Sequence, residues 1–232
     1  MSPKRAKRMS KPLYDAVVYD LDGTLIDSIP LIMDSFHRAY ERVMGACPRT
    51  DEDIMSYIGK PLATTFECHD EATAKALVDA YLDHNEALLE ENAVPLIPGV
   101  RQMLSDIENM GCPQALVTSK REHAARITLD LLELNPYFEV FVFAEDTKHS
   151  KPAADPLVEC ARRMGISDFS KILYVGDAMP DFLCAQNAGA DFAFVGWSKM
   201  PAAEQNEIKK ASPKWQPLTP KALSCIIGGC EL

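Results

Sequence analysis

The stretch Tyr14-Asp15-Ala16-Val17-Val18-Tyr19-Asp20-Leu21-Asp22-Gly23-Thr24-Leu25-Ile26-Asp27-Ser28 decides how the chain is read. Its first half is short, β-branched and aromatic, and it runs into an Asp-Gly turn signal, the pattern of a buried strand. Two carboxylates two residues apart, just past that strand, can point into one site. Gly23 permits the tight turn by which the chain leaves. Close carboxylates repel, so the pair calls for a cation, and oxygen ligands beside a phosphate favour Mg2+. A carboxylate can accept a phosphoryl group as an aspartyl-phosphate, and a second can then serve as acid and base.

Outward from this strand the same rhythm repeats. Apolar runs at 113–118, 140–143, 172–175 and 192–195 alternate with helical patterns at 100–110, 122–132, 155–164 and 181–188. Strands alternating with helices of this length predict βαβ units and an α/β fold, a doubly wound, Rossmann-like parallel sheet covered on both faces. Residues 30–94 break the rhythm. Ile32, Phe36, Ala39/Tyr40 and Val43 recur at helical spacing, as do Leu77, Tyr81, His84 and Leu88, with no convincing strand between them. The expected organisation is a basic, disordered tail over 1–11, an α/β core over 12–29 and 95–232, and an inserted helical cap over 30–94. Pro95-Leu-Ile-Pro98-Gly99 punctuates the return to the core. The last dozen residues, with Gly228-Gly229, carry no pattern that assigns an element.

Composition narrows the partners. A formal net charge of -10 over 232 residues argues against broad nucleic-acid binding, despite Lys4, Arg5, Lys7, Arg8 and Lys11 at the start. No apolar run approaches the roughly 20 residues of a spanning helix, and no signal peptide is evident. The 7 cysteines include no C-x-x-C pair, which fits reduced, packed thiols. The expectation is a cytoplasmic protein without membrane or nucleic-acid partners, a monomer or homodimer.

The chemically informative residues all fall at or just beyond predicted strand ends, the edge where open parallel sheets bind ligands. Asp20-x-Asp22-Gly-Thr-Leu-x-Asp27-Ser28 resembles the first motif of the phosphatase branch of the haloacid dehalogenase superfamily. Three further matches follow in order. Val117-Thr118-Ser119-Lys120 looks like the second motif, Lys151-Pro152 the third, and Gly176-Asp177-Ala-Met-Pro-Asp181 the acidic fourth. The resemblance covers roughly residues 13–200. It implies Asp20 as nucleophile, Asp22 as acid and base, and Thr118 and Lys151 holding the phosphoryl oxygens. It also implies Mg2+ held by Asp20, Asp177, the backbone carbonyl of Asp22, and Asp181, which either ligates directly or orients Lys151. Ala178 departs from the Ser or Thr often found there, and Ala154 from a second proline.

The insert resembles the helical cap of the superfamily's first subclass. Ile58-Gly59-Lys60-Pro61-Leu62, followed by Phe66, looks like the cap loop of phosphoglycolate phosphatases and of a related pyrophosphatase group. Gly59, Lys60, Ser119 and Lys120 are thereby candidate substrate contacts, with Arg121 a further cation. The implied function is hydrolysis of a small phosphorylated metabolite, phosphoglycolate first. Alternatives are an inorganic pyrophosphatase of the same family, a β-phosphoglucomutase-like isomerase differing mainly in the cap, or a non-catalytic binding protein on the same fold. The five histidines form no metal-ligand pair. His84, on the apolar stripe, is expected in core or interface, and Trp197 in packing.

Overall fold

A computed structural model describes residues 11–60, 62–91 and 94–229. The basic tail, apart from Lys11, lies outside them, as do Pro61 of the cap loop and Cys230. Five strands form one parallel sheet: β1 (Ala16–Tyr19), β2 (Gln114–Val117), β3 (Val140–Val142), β4 (Ile172–Gly176) and β5 (Asp191–Phe194), in the order β3-β2-β1-β4-β5. β1, β2 and β4 are buried along their whole length, as strands covered on both faces must be. Side chains alternate across the sheet: Val17, Tyr19, Leu116 and Val175 pack into one core, and Val18, Ala115, Val117 and Tyr174 into the other.

Register aligns the strand ends. Tyr19 pairs with Leu116 on one side and Val175 on the other, so Asp20, Thr118 and Asp177 emerge along one edge. The strand order also reverses at β1, which opens the crevice where such sheets place ligands.

Among its described residues the insert contains four helices: α1 (Ile29–Met44), α2 (Asp51–Met55), α3 (Leu62–Thr65) and α4 (Glu71–Glu91). Pro30 suits the first turn of α1, and Gly45 ends it in the left-handed conformation with φ 82. These helices have a core of their own. Phe36 packs on Tyr57, Phe66 and Tyr81 with ring centroids 5.7, 5.5 and 4.8 Å apart, tilted geometries that aromatic quadrupoles favour. On α4 the buried stripe is Leu77, Tyr81, Asn85 and Leu89. His84 is therefore only half-buried, with Nε2 2.7 Å from Asp34 Oδ2 on α1.

The core helices are α5 (Val100–Asn109), α6 (Glu122–Leu131), α7 (Asp155–Met164), α8 (Met179–Ala188), α9 (Ala202–Lys210) and α10 (Pro220–Ile227). The last forms where the sequence pattern assigned nothing. Thr219 caps it by accepting from Ala222 N, and its short apolar face, Leu223 and Ile227, closes the core that holds β1. Eight residues give too few turns for periodicity to stand out. Among the described residues no helix is long and apolar enough to cross a membrane.

Candidate active site

The site begins where β1 ends. Asp20 and Asp177, each one residue past a central strand, are 3% and 1% exposed. Asp181 is fully buried in the first turn of α8, where its Oδ2 accepts from Ala178 N at 3.1 Å, using one of the amides a helix start leaves free. One oxygen from each of these three carboxylates lies within 4.8 Å of the others. Burying three acids together is costly unless cations compensate.

Lys151 supplies one cation. Its Nζ donates to Asp20 Oδ1 at 2.8 Å and to Asp181 Oδ1 at 2.6 Å. Tyr174 Oη adds a 3.4 Å bond to Asp181. One ammonium does not balance three carboxylates. Burial, opposed in part by Lys151, pushes the Asp20 carboxyl up to about 7. Burial, with Asp181 and Asp20 beside it, holds the Asp177 carboxyl well above the usual range. Burial disfavours the Lys151 ammonium, but the two carboxylates outweigh it and raise its pKa. The uncompensated charge, all on oxygen donors, suits a hard cation.

Gly23 is required by this packing. Its φ is +76, and a Cβ there would sit 2.2 Å from Asp177 Oδ2. Asp177 is steadied by Ser198 Oγ, which donates to Oδ2 at 3.1 Å. Asp22 stands apart from the acidic group: its carboxylate meets Lys120 Nζ at 3.3 Å. Thr118 is buried at the end of β2, where its Oγ1 accepts from Lys120 N at 3.1 Å. Asp27 pairs with Lys199. Trp197 Nε1 donates to Thr24 O at 2.9 Å, pinning the turn after Asp22 from the β5 side.

Above these residues lies a cavity of about 400 Å3, floored by Asp20, Asp22, Thr118 and Lys120 and roofed by the inserted helices. The cap loop comes down to the floor. Ser119 Oγ donates to Gly59 O at 3.2 Å, and Gly59, with φ +82, lies so close that a Cβ would be 3.1 Å from that of Ala178. Ala178 thus has a local reason for being small. Lys60 is exposed on the rim, and Arg121 pairs at the surface with Glu145. The structure therefore gathers Asp20, Asp22, Thr118, Ser119, Lys120 and Gly59 around one space, with Lys151, Asp177 and Asp181 buried in a cluster with Asp20, and leaves Lys60 at its mouth.

With this geometry in hand, comparison with known proteins is direct. The family model described as haloacid dehalogenase-like hydrolase matches residues 17–195. The chain belongs to that family. It is a haloacid dehalogenase-like hydrolase. The chain is 33% identical to a putative pyrophosphatase PpaX of Caldanaerobacter subterraneus subsp. tengcongensis, over 93% of this chain and 96% of the relative. It is 32% identical to the pyrophosphatase PpaX of Bacillus cereus, over 79% and 84%. Among solved structures, a putative haloacid dehalogenase-like hydrolase from Bacteroides fragilis superposes with a TM-score of 0.75 at 25% identity, covering 84% of this chain and 93% of that one.

Some residues around the cavity carried no sequence signal. Ser198, which holds Asp177, sits in a loop with nothing to mark it. Tyr81 and Asn85 line the roof from α4, and there helical periodicity marks Tyr81 only as core and is silent on Asn85.

Proposed function

We propose that this chain is a Mg2+-dependent phosphatase of small phosphorylated metabolites, working through an aspartyl-phosphate on Asp20. The observation that carries it is the Lys151 ammonium seated between Asp20 and Asp181, at 2.8 and 2.6 Å, with Asp177 completing a buried oxygen cluster. Phosphoryl transfer is chiefly positioning and neutralisation of oxygens, and this floor supplies both.

Asp20, Asp177 and Asp181, with the Asp22 backbone carbonyl, are the candidate ligands, and Mg2+ bound there would supply positive charge for the phosphoryl oxygens. Asp20 attacks phosphorus, forming an Oδ–P bond as the ester P–O bond breaks. The leaving oxygen takes its proton from the Asp22 carboxyl. Asp22, now a carboxylate, removes a proton from a water whose oxygen attacks phosphorus. The Oδ–P bond then breaks, and phosphate leaves with Asp20 restored. Thr118 and Lys151 hold the phosphoryl oxygens throughout, and the Lys120 ammonium fixes the Asp22 carboxylate over the reacting centre. The inserted helices cover the site, as lids that exclude water do.

Phosphoglycolate, from the resemblance of the cap loop, and pyrophosphate, from the naming of the relatives, are the first two substrates to assay. Wild type is expected to release phosphate with Mg2+ and to stop with a chelator. Asp20→Asn is expected to lose at least about 10³-fold in turnover, since the attacking oxygen pair loses its charge. A folded Asp20→Asn variant with wild-type turnover overturns the scheme. Stimulation by a sugar bisphosphate would instead mark the isomerase reading.

A further inference from the structure

The roof of the cavity differs in chemistry from its floor. Phe36 on α1 and Val78 and Leu82 on α4 face the space, with Tyr57 beside them. Polar groups interrupt this apolar surface at Thr65 on α3, at the Tyr57 phenol, and at Tyr81 and Asn85, which lie one turn apart on α4 and so on one face. Asn85 is 2% exposed. Its Nδ2 donates to Ser35 Oγ at 3.1 Å, while Ser35 Oγ already donates to Leu31 O at 2.8 Å. Ser35 is thus satisfied without the amide, and the bond fixes the amide plane with Oδ1 left to accept. The Tyr81 hydroxyl has no hydrogen-bond partner among the described residues, and burial together with the Asp22 charge raises its pKa. Tyr81 and Asp22 line the same cavity. A buried polar group with bonding capacity to spare is expected to have a partner.

Among the described residues the helices of the roof offer neutral polar groups and no cation. The cations lining the cavity are Lys60, Lys120 and Arg121. Lys120 is engaged by Asp22, Arg121 is paired with Glu145, and Lys60 lies exposed beside the Glu204 charge. An anionic leaving group under this roof would be desolvated without a partner, which is costly. It would also be too small: a second phosphoryl or a glycolate leaves most of about 400 Å3 unfilled, whereas clefts of roughly 300–1,000 Å3 suit larger ligands.

We infer that the alcohol this enzyme releases is uncharged and ring-sized, with an apolar face against Phe36 and Leu82 and hydroxyl or carbonyl groups bonded to Tyr81 and Asn85. Sugar and nucleoside monophosphates have that chemistry; phosphoglycolate and pyrophosphate do not. This inference rests on the phosphatase reading above and narrows its substrate.

The test is steady-state kinetics with Mg2+ on glucose 6-phosphate, ribose 5-phosphate, adenosine and uridine monophosphates, phosphoglycolate and pyrophosphate. The expected result is a kcat/KM at least tenfold higher on the best neutral ester than on either anionic substrate. Tyr81→Phe and Asn85→Leu are expected to raise KM on that ester several-fold with kcat held within about twofold. Leu82→Lys, which places an ammonium in the roof, is expected to shift the preference towards phosphoglycolate by tenfold or more, with thermal melting to verify folding. Preference of wild type for phosphoglycolate or pyrophosphate, with turnover lost in Asp20→Asn, overturns the inference and leaves the phosphatase reading standing. Absence of Mg2+-dependent release from every compound overturns both. The wild-type panel decides the matter if a roof variant does not fold.

Discussion

The floor and the roof of the cavity are held by opposite physics. The floor is a knot of ionisable groups at and beyond strand ends, where Lys151, fully enclosed, touches two of three clustered carboxyl groups. The roof is a stack of rings and aliphatic side chains between α1 and α4, centred on Phe36 and Phe66. Charges in a floor of this kind are stabilised only by one another and by what binds there, and removing one leaves the others buried and unpaired. A roof built on contact area is indifferent to ions and to pH.

Two substitutions of equal cost separate the two. Lys151→Met should abolish turnover and destabilise the metal-free protein by about 3–5 kcal/mol, the range for breaking a buried ion pair. Phe66→Ala should destabilise by about 3–5 kcal/mol through the cavity it leaves. Only the first loss should shrink when Mg2+ is added or the pH lowered, because only there is the penalty one of unpaired negative charge. Chemical denaturation of both variants at pH 5.5 and 8, with and without Mg2+, checks this. Equal ion sensitivity in the two would erase the distinction.

The contrast also explains what could be read from the sequence. Asp20, Asp22, Thr118, Lys151, Asp177 and Asp181 were singled out by their resemblance to four motifs of the superfamily, and the register of the parallel sheet brings the ends of β1, β2 and β4 to one edge. Tyr81 and Asn85 were not. On a helix that packs on another helix, the same spacing marks core and pocket alike, and which part of the stripe faces a ligand depends on how α4 sits over the floor. The bond from Ser119 to Gly59 and the crowding of Gly59 on Ala178 arise from that docking, not from any local pattern. Helix α10 escaped notice for a different reason, since eight residues hold barely two turns.

A smaller effect follows from the titration of the floor. Asp20, ordinarily near 3.8, is raised to about 7, and Asp177 is raised well above its usual value, chiefly by burial. An acid raised in the folded state contributes stability that is complete below its unfolded pKa and is lost as pH rises through its folded pKa. The metal-free enzyme should therefore lose stability between about pH 4 and 7, and further where Asp177 ionises. Lys151 stays protonated across this window, because its pKa is raised. A cation binds the ionised carboxylates, so the rise in Tm on adding Mg2+ should be larger at pH 8 than at pH 5.5. A pH-independent shift in Tm would separate metal binding from these acids.

The smallest expected effect lies at the seam between the two regions. Ser119 Oγ reaches Gly59 O at 3.2 Å, a side-chain bond from the end of β2 to the cap loop. A neutral hydrogen bond contributes about 0.5–1.5 kcal/mol net, so Ser119→Ala should lower kcat/KM by roughly 2- to 10-fold if the bond forms fully only with the cap seated on substrate. Ser119→Thr keeps a hydroxyl and should recover part of the loss. Loss of kcat/KM with Tm unchanged would place the bond in closure over the substrate. A fall in Tm with kcat/KM unchanged would place it in folding, and would leave Gly59 packed on Ala178 as the contact that joins roof to floor.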